Sequence, residues 1–92
     1  MTDEEITAMY AEMAAAGHRL IERWAVNQAD YGDAFMELGP KGQFSDIWRK
    51  IKKLKRAVWD EEPLRGEQPV QIIDETVHHL LMLRYLLLME AS

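Results

Sequence analysis

The 92-residue chain is 48% hydrophobic and 29% charged, carries a formal net charge of −5 and contains no cysteine. This composition is that of a folded domain rather than a disordered chain, and the lack of cysteine excludes disulfides and thiolate metal sites. The acidic total argues against general nucleic-acid binding, and no apolar run approaches the roughly 20 residues of a membrane span. The acidic amino terminus also lacks the order of a secretory signal. We therefore predict one cytoplasmic domain, residues 1–92, with neither a membrane nor a nucleic acid as its partner.

The first predicted helix covers about residues 3–28. Thr2 and Glu5 have the spacing of a capping box at its start. Apolar side chains then recur every three or four residues, which is typical of a helix that buries one stripe. The stripe consists of Ile6, Met9, Tyr10, Met13, Gly17, Leu20, Ile21 and Trp24. Gly17 is expected at a close helix crossing or a bend, and His18 with Glu22 forms an i,i+4 surface pair.

Glycines and a proline predict a loop over 29–44, with one helical turn at 33–38. Ser45 then caps a second helix over about 45–60. Its predicted buried side consists of Ile47, Ile51, Leu54 and Val58. Most of its remaining surface is basic, formed by Arg49, Lys50, Lys52, Lys53, Lys55 and Arg56. This basic run is either the solvated face of the helix or one side of a phosphate-binding pocket.

The third predicted helix covers about residues 69–90, with Pro69 in its first turn. One apolar stripe consists of Val70, Ile73, Val77, Leu80, Leu81, Arg84, Leu87 and Leu88, and a second surface consists of Met82, Leu83 and Leu86. A helix that is apolar nearly all round is buried nearly all round. Two other short helices cannot surround it. We therefore predict an all-α, three-helix antiparallel bundle-like domain that forms a homo-oligomer through this C-terminal helix.

Acidic residues and histidines cluster on the third helix. Glu75 and His78 have the Glu-x-x-His spacing that supports a metal ion in some helical bundles, and Asp74 is adjacent. The alternative is that Asp74–His78 and Glu75–His79 are i,i+4 pairs that stabilise the helix. Arg84 lies within the apolar stripe, where a buried guanidinium needs a carboxylate, an edge of the surface or a ligand phosphate.

One constellation of residues is more specific. The residues Asn27, Asp30, Tyr31, Gly32 and Phe35 resemble the Asp-Tyr-Gly signature of the nucleotide-modification-associated domain family. That family consists of small phage and bacterial helical proteins similar in outline to MazG-like nucleotide pyrophosphohydrolases. The segment 47–56 is similar to the second helix of the family, and Glu75 with the following apolar helix is similar to its last helix. The resemblance covers about residues 20–90.

The resemblance implies a phage-type helical oligomer that binds a nucleotide together with magnesium. It implies nucleotide-binding roles for Asp30, Tyr31, Gly32, Lys50 and Arg56, and metal-binding roles for Asp74, Glu75 and His78. Magnesium needs oxygen ligands, yet His78 replaces a carboxylate and Arg49 replaces an expected aspartate. We therefore predict impaired catalysis and assign no catalytic residue. The alternative is a non-catalytic interaction protein that docks on a host or phage protein through its basic second helix or its apolar third helix.

Overall fold

The computed structural model describes residues 1–31 and 34–91, with the backbone alone at 30 and 31. It contains the helices α1 (Asp3–Tyr31), α2 (Ala34–Val58) and α3 (Pro69–Ala91), and these described residues contain no strand. The predicted all-α fold with three helices is therefore confirmed. The helices belong to two compact units, residues 1–32 with α1 and residues 33–92 with α2 and α3. Within the described ranges, none of the helices combines the length and the apolar character that a bilayer crossing requires.

The start of α1 has the predicted capping box. The backbone N–H of Glu5 donates to Thr2 Oγ1 at 3.1 Å, and the Thr2 N–H donates to Glu5 Oε1 at 3.2 Å. His18 and Glu22 form the predicted exposed pair at 2.9 Å. The predicted burial of the apolar stripe is wrong for most of its large members, since Ile6, Met9, Tyr10, Met13 and Ile21 are exposed. A Cβ atom at Gly17 would meet no described atom within 4 Å, so this glycine does not mark a close helix crossing.

The predicted loop over 29–44 is wrong for most of its described part. Helix α1 continues to Tyr31, and α2 already begins at Ala34, so Ser45 lies inside a helix instead of capping one. The glycine and proline signals produce a kink at Gly39, where φ is 67° and ψ is −165°. Pro40 follows at once, and it has no N–H to donate to the preceding turn. Helical backbone resumes on the far side of the kink.

Helices α2 and α3 pack against each other in antiparallel directions and form a hairpin. Its apolar core consists of Ile47, Ile72 and Leu86, which are 8%, 1% and 5% exposed. Two polar side chains are buried with them, Gln43 and Thr76. Thr76 Oγ1 donates to the Ile72 carbonyl oxygen at 2.7 Å, so its hydroxyl is satisfied within its own helix.

The side of α3 that faces α2 differs from the predicted one. The line of contact consists of Ile72, Thr76, His79, Leu83 and Leu86, all buried or half-buried. Most of the first predicted stripe, from Val70 to Leu88, is exposed instead, including Arg84. On α2, Ile47 is buried and Leu54 half-buried as predicted, whereas Ile51 and Val58 are exposed. The hairpin therefore hides only part of its apolar surface.

Alanine substitution of two glycines should change stability in opposite directions. Gly39 has a backbone conformation that is essentially restricted to glycine, so Gly39→Ala should lower the free energy of unfolding by about 1–3 kcal/mol. Gly17→Ala fills open space in a regular helix and should raise it by about 0.5–1 kcal/mol. Urea denaturation followed by circular dichroism measures both changes. Equal effects of the two substitutions would contradict the kink.

Candidate functional site

One side of the hairpin is polar and carries ion pairs between its helices. The Lys50 ammonium group contacts a carboxylate oxygen of Glu75, across from α2 to α3. Lys53 Nζ lies 3.2 Å from Glu67 Oε2, in the segment that precedes α3. Lys50 is only 20% exposed, so its pair with Glu75 is less screened by water than the surface pairs. These pairs hold the two helices in one register.

His79 lies at the centre of the contact between the helices. Its Nδ1 is 2.6 Å from Oε1 of the buried Gln43. Because an amide oxygen only accepts hydrogen bonds, Nδ1–H donates, and Nε2 is the acceptor of the neutral ring. Burial lowers the pKa of His79 below its ordinary value of 6.5; Asp46 raises it, Lys50 lowers it, Glu75 raises it and His78 lowers it. His79 is therefore neutral in the folded hairpin at pH 7.

The basic run of α2 is largely paired with carboxylates. Besides the pairs of Lys50 and Lys53, the described contacts join Arg49 to Asp46, Lys55 to Asp60 and Arg56 to Glu62. Lys52 Nζ instead lies 5.5 Å from the ring centroid of Trp48, in a cation–π contact. A cleft of about 280 Å³ is lined by Arg49, Lys50, Lys52 and Lys53. The aliphatic parts of these side chains form most of its exposed lining, and three of its four cations already contact a carboxylate.

The other side of the hairpin is apolar. Each residue turns a helix by 100°, so the exposed apolar side chains of α2 lie about 90° past its buried line of Gln43, Ile47, Lys50 and Leu54. Those of α3 lie about 120° past their own buried line in the same sense along the chain. Because the helices are antiparallel, these two rotations run in opposite senses when viewed from one end. Both stripes therefore point to the same side of the hairpin, opposite the Lys50–Glu75 and Lys53–Glu67 pairs.

We call this surface the apolar face. It consists of Phe44, Trp48, Ile51 and Val58 on α2 and of Val70, Ile73, Leu80, Leu81, Leu87 and Leu88 on α3. Every one of these residues is at least 43% exposed. The Phe44 and Trp48 rings lie side by side with centroids 6.3 Å apart. Contiguous apolar patches of this kind mark interaction sites on proteins.

The predicted nucleotide-binding residues are only partly placed. Asp30, Tyr31 and Gly32 lie outside the residues whose side chains the structure describes. Lys50 and Arg56 both lie on α2, but six residues of helix turn their side chains about 120° apart. Lys50 contacts Glu75, and Arg56 Nε lies 3.2 Å from Glu62 Oε2. The structure therefore brings Lys50 to the side of α3 and leaves Arg56 on the outer surface.

The predicted metal ligands Asp74, Glu75 and His78 are all half-buried on α3. Glu75 contacts the Lys50 ammonium, which occupies one side of its carboxylate. Across the part of the chain that the structure describes, no three histidine, aspartate or glutamate side chains gather closely enough to hold a metal ion. The magnesium site stays a prediction from the resemblance.

Comparison of the chain with protein-family models, with curated proteins and with solved structures gave no match. The similarity to the nucleotide-modification-associated domain family therefore rests on the residues quoted above.

Sequence reasoning missed the Gln43–His79 contact. Gln43 falls in the segment predicted as a loop, and His79 was paired with Glu75 on its own helix. A signal was nevertheless present: Gln43, Ile47, Lys50, Leu54 and Ala57 recur at three- and four-residue steps. This periodicity crosses the predicted start of the helix at residue 45.

The stability of the hairpin should fall in acid because of His79. The folded-state pKa lies below 6.5, so the unfolded chain takes up this proton first as the pH falls. Neutral His79 makes its full contribution to the free energy of unfolding above pH 6.5. As the pH falls below 6.5 this contribution is lost, by at most about 1.4 kcal/mol per pH unit. His79→Gln should remove this component from urea denaturation curves recorded between pH 7.5 and pH 5. Gln71→Ala, at an exposed position of α3 that carries no titratable group, is the control and should keep the wild-type pH dependence.

Proposed function

We propose that this chain is a non-catalytic interaction protein that assembles with a second copy of itself through the apolar face. The observation that supports the proposal is the position of that face, which unites exposed apolar stripes of α2 and α3 on one side of the hairpin. The two ion pairs formed by Lys50 and Lys53 lie on its opposite side. Its two sides therefore differ in what they can bind.

The small core of the hairpin supports this assignment. Only Ile47, Ile72 and Leu86 are buried large apolar residues in the described part of the chain. Ten large apolar residues of the apolar face remain in contact with water. Full burial of such a side chain contributes about 1.5–3 kcal/mol of free energy, and covering these half-exposed residues would supply part of that for each. A partner that covers this face therefore gains much more apolar contact than the hairpin makes by itself.

A second hairpin is well suited to cover the face. Two helices from each copy would form a four-helix arrangement in which the exposed stripes become its core. A two-fold axis places the same surface on both copies, which requires a self-complementary patch, and apolar side chains meet this requirement without matched charges. The nearly all-round apolar character of α3 then has a physical reason.

Charged substitutions within the apolar face should dissociate the assembly. Ile73→Glu combined with Leu80→Glu places two carboxylates in the proposed interface, where each lacks a counter-charge. These substitutions should raise the dissociation constant of the dimer at least about a hundredfold. At a concentration where the unchanged protein is a dimer, sedimentation equilibrium should therefore show a monomer for this variant. Circular dichroism should show the same helix content for both.

The matched control is Met89→Glu. Met89 is exposed on α3 to nearly the same extent as Leu80, 51% against 49%, but lies about 140° around the helix from the middle of the apolar stripe. It should leave the dimer intact. A monomer for the unchanged protein at every concentration, or equal dissociation by both variants, would overturn the proposal.

Nucleotide binding is the second proposed function, and the cationic cleft favours it. Arg49, Lys50, Lys52 and Lys53 line the cleft, and the exposed Trp48 ring lies beside it. Exposed ion pairs are worth only about 0–1 kcal/mol, so a phosphate chain could displace the carboxylates of Asp46 and Glu67. Hydrolysis is not included in this proposal, because Glu75 is held by Lys50.

Calorimetric titration with a nucleoside triphosphate tests the cleft. Lys52→Gln removes a charge that contacts only the Trp48 ring among the described groups, so it should weaken binding about tenfold without breaking an ion pair. Lys41→Gln, an exposed lysine elsewhere on α2, is the control and should bind like the unchanged protein. No heat of binding at low salt, with or without magnesium, would remove this function.

A further inference from the structure

We propose that the second copy lies antiparallel to the first, with Arg84 of each copy against the acidic turn at residues 60–62 of the other; this proposal rests on the proposed self-assembly. The orientation follows from the charges of the hairpin. The apolar face by itself permits two hairpins to meet either in the same direction or in opposite directions.

Arg84 lies in the middle of the apolar face. Leu80 and Leu81 precede it by one helical turn, and Leu87 and Leu88 follow it by one turn, all of them exposed on the same side of α3. Arg84 itself is exposed and is the charged residue of that stripe. Once a partner covers the stripe, the guanidinium loses water and needs a carboxylate from outside its own surroundings.

The opposite end of the hairpin supplies carboxylates. The connection between α2 and α3 contains Asp60, Glu61 and Glu62 in succession, all exposed. Asp60 contacts Lys55 at 3.1 Å, and Glu62 contacts Arg56 at 3.2 Å. Glu61 takes part in neither pair. It therefore has an exposed carboxylate that can accept hydrogen bonds from a guanidinium.

The two orientations place Arg84 differently. Arg84 lies about 22 Å along α3 from its first residue, and so in the half of the helix that is remote from the connection. In a parallel pair, the two Arg84 side chains lie at the same level and repel each other. In an antiparallel pair, the half of α3 that carries Arg84 in one copy lies beside the half of the other copy that leads to the connection between α2 and α3. Charge complementarity therefore selects the antiparallel pair.

A charge-reversal cycle tests this orientation. Arg84→Glu and Glu61→Arg should each raise the dissociation constant of the dimer about tenfold or more at low salt, because the symmetric contact occurs twice. The combined variant restores opposite charges and should return the constant to within about threefold of the unchanged protein. Sedimentation equilibrium at low and high salt provides the constants, and the differences should shrink at high salt. Both residues are exposed, so circular dichroism should show unchanged helix content.

Each possible result decides a separate point. Rescue by the combined variant supports the antiparallel orientation. A dimer that persists or tightens with Arg84→Glu, or that the combined variant does not rescue, overturns the orientation and leaves the self-assembly in place. A monomeric unchanged protein overturns both proposals.

Discussion

The contact between α2 and α3 is the interaction on which the described architecture of the hairpin depends, and few side chains form it. Three apolar side chains and two buried polar ones form its centre. The polar groups restrict which helix registers are possible, since Gln43 must meet His79 and a shift by one residue would leave both unsatisfied. The apolar residues drive the contact, and the polar residues determine its register.

The register in turn determines where the remaining surfaces point. With Gln43 opposite His79, the Lys50 side chain reaches Glu75 and the Lys53 side chain reaches Glu67. The ion pairs thereby collect on one side. The apolar stripes of both helices are left on the other side. Such a division of surfaces is compatible with assembly. The apolar side can be buried by a partner while the charged side stays in water, where its ion pairs incur no desolvation cost.

The sequence predicted the helical class, the bounds of α3 and the cap of α1, because these depend on local signals. It failed where tertiary contact selects among equivalent faces. Helix α3 is apolar nearly all round, so periodicity alone could not show that Ile72 and Leu86, rather than Ile73 and Leu80, face α2. Thr76 and His79 on the buried line reinforced that error, because polar residues are expected on the outer side. The kink at Gly39 was interpreted as a loop, since glycine and proline give the same signal for both.

The candidate site was harder to predict than the fold, for a related reason. The sequence identified Lys50 and Glu75 as members of two different sites, a phosphate site and a metal site. In the structure each is the counter-ion of the other. A cation and a carboxylate at separate positions of a sequence each suggest an external ligand, and only their distance shows that they can satisfy each other. Where such pairs account for the charged groups, the described surface of the hairpin that remains exposed without ion pairs is mainly the apolar one, and we propose that Arg84 within it determines the orientation of the second copy.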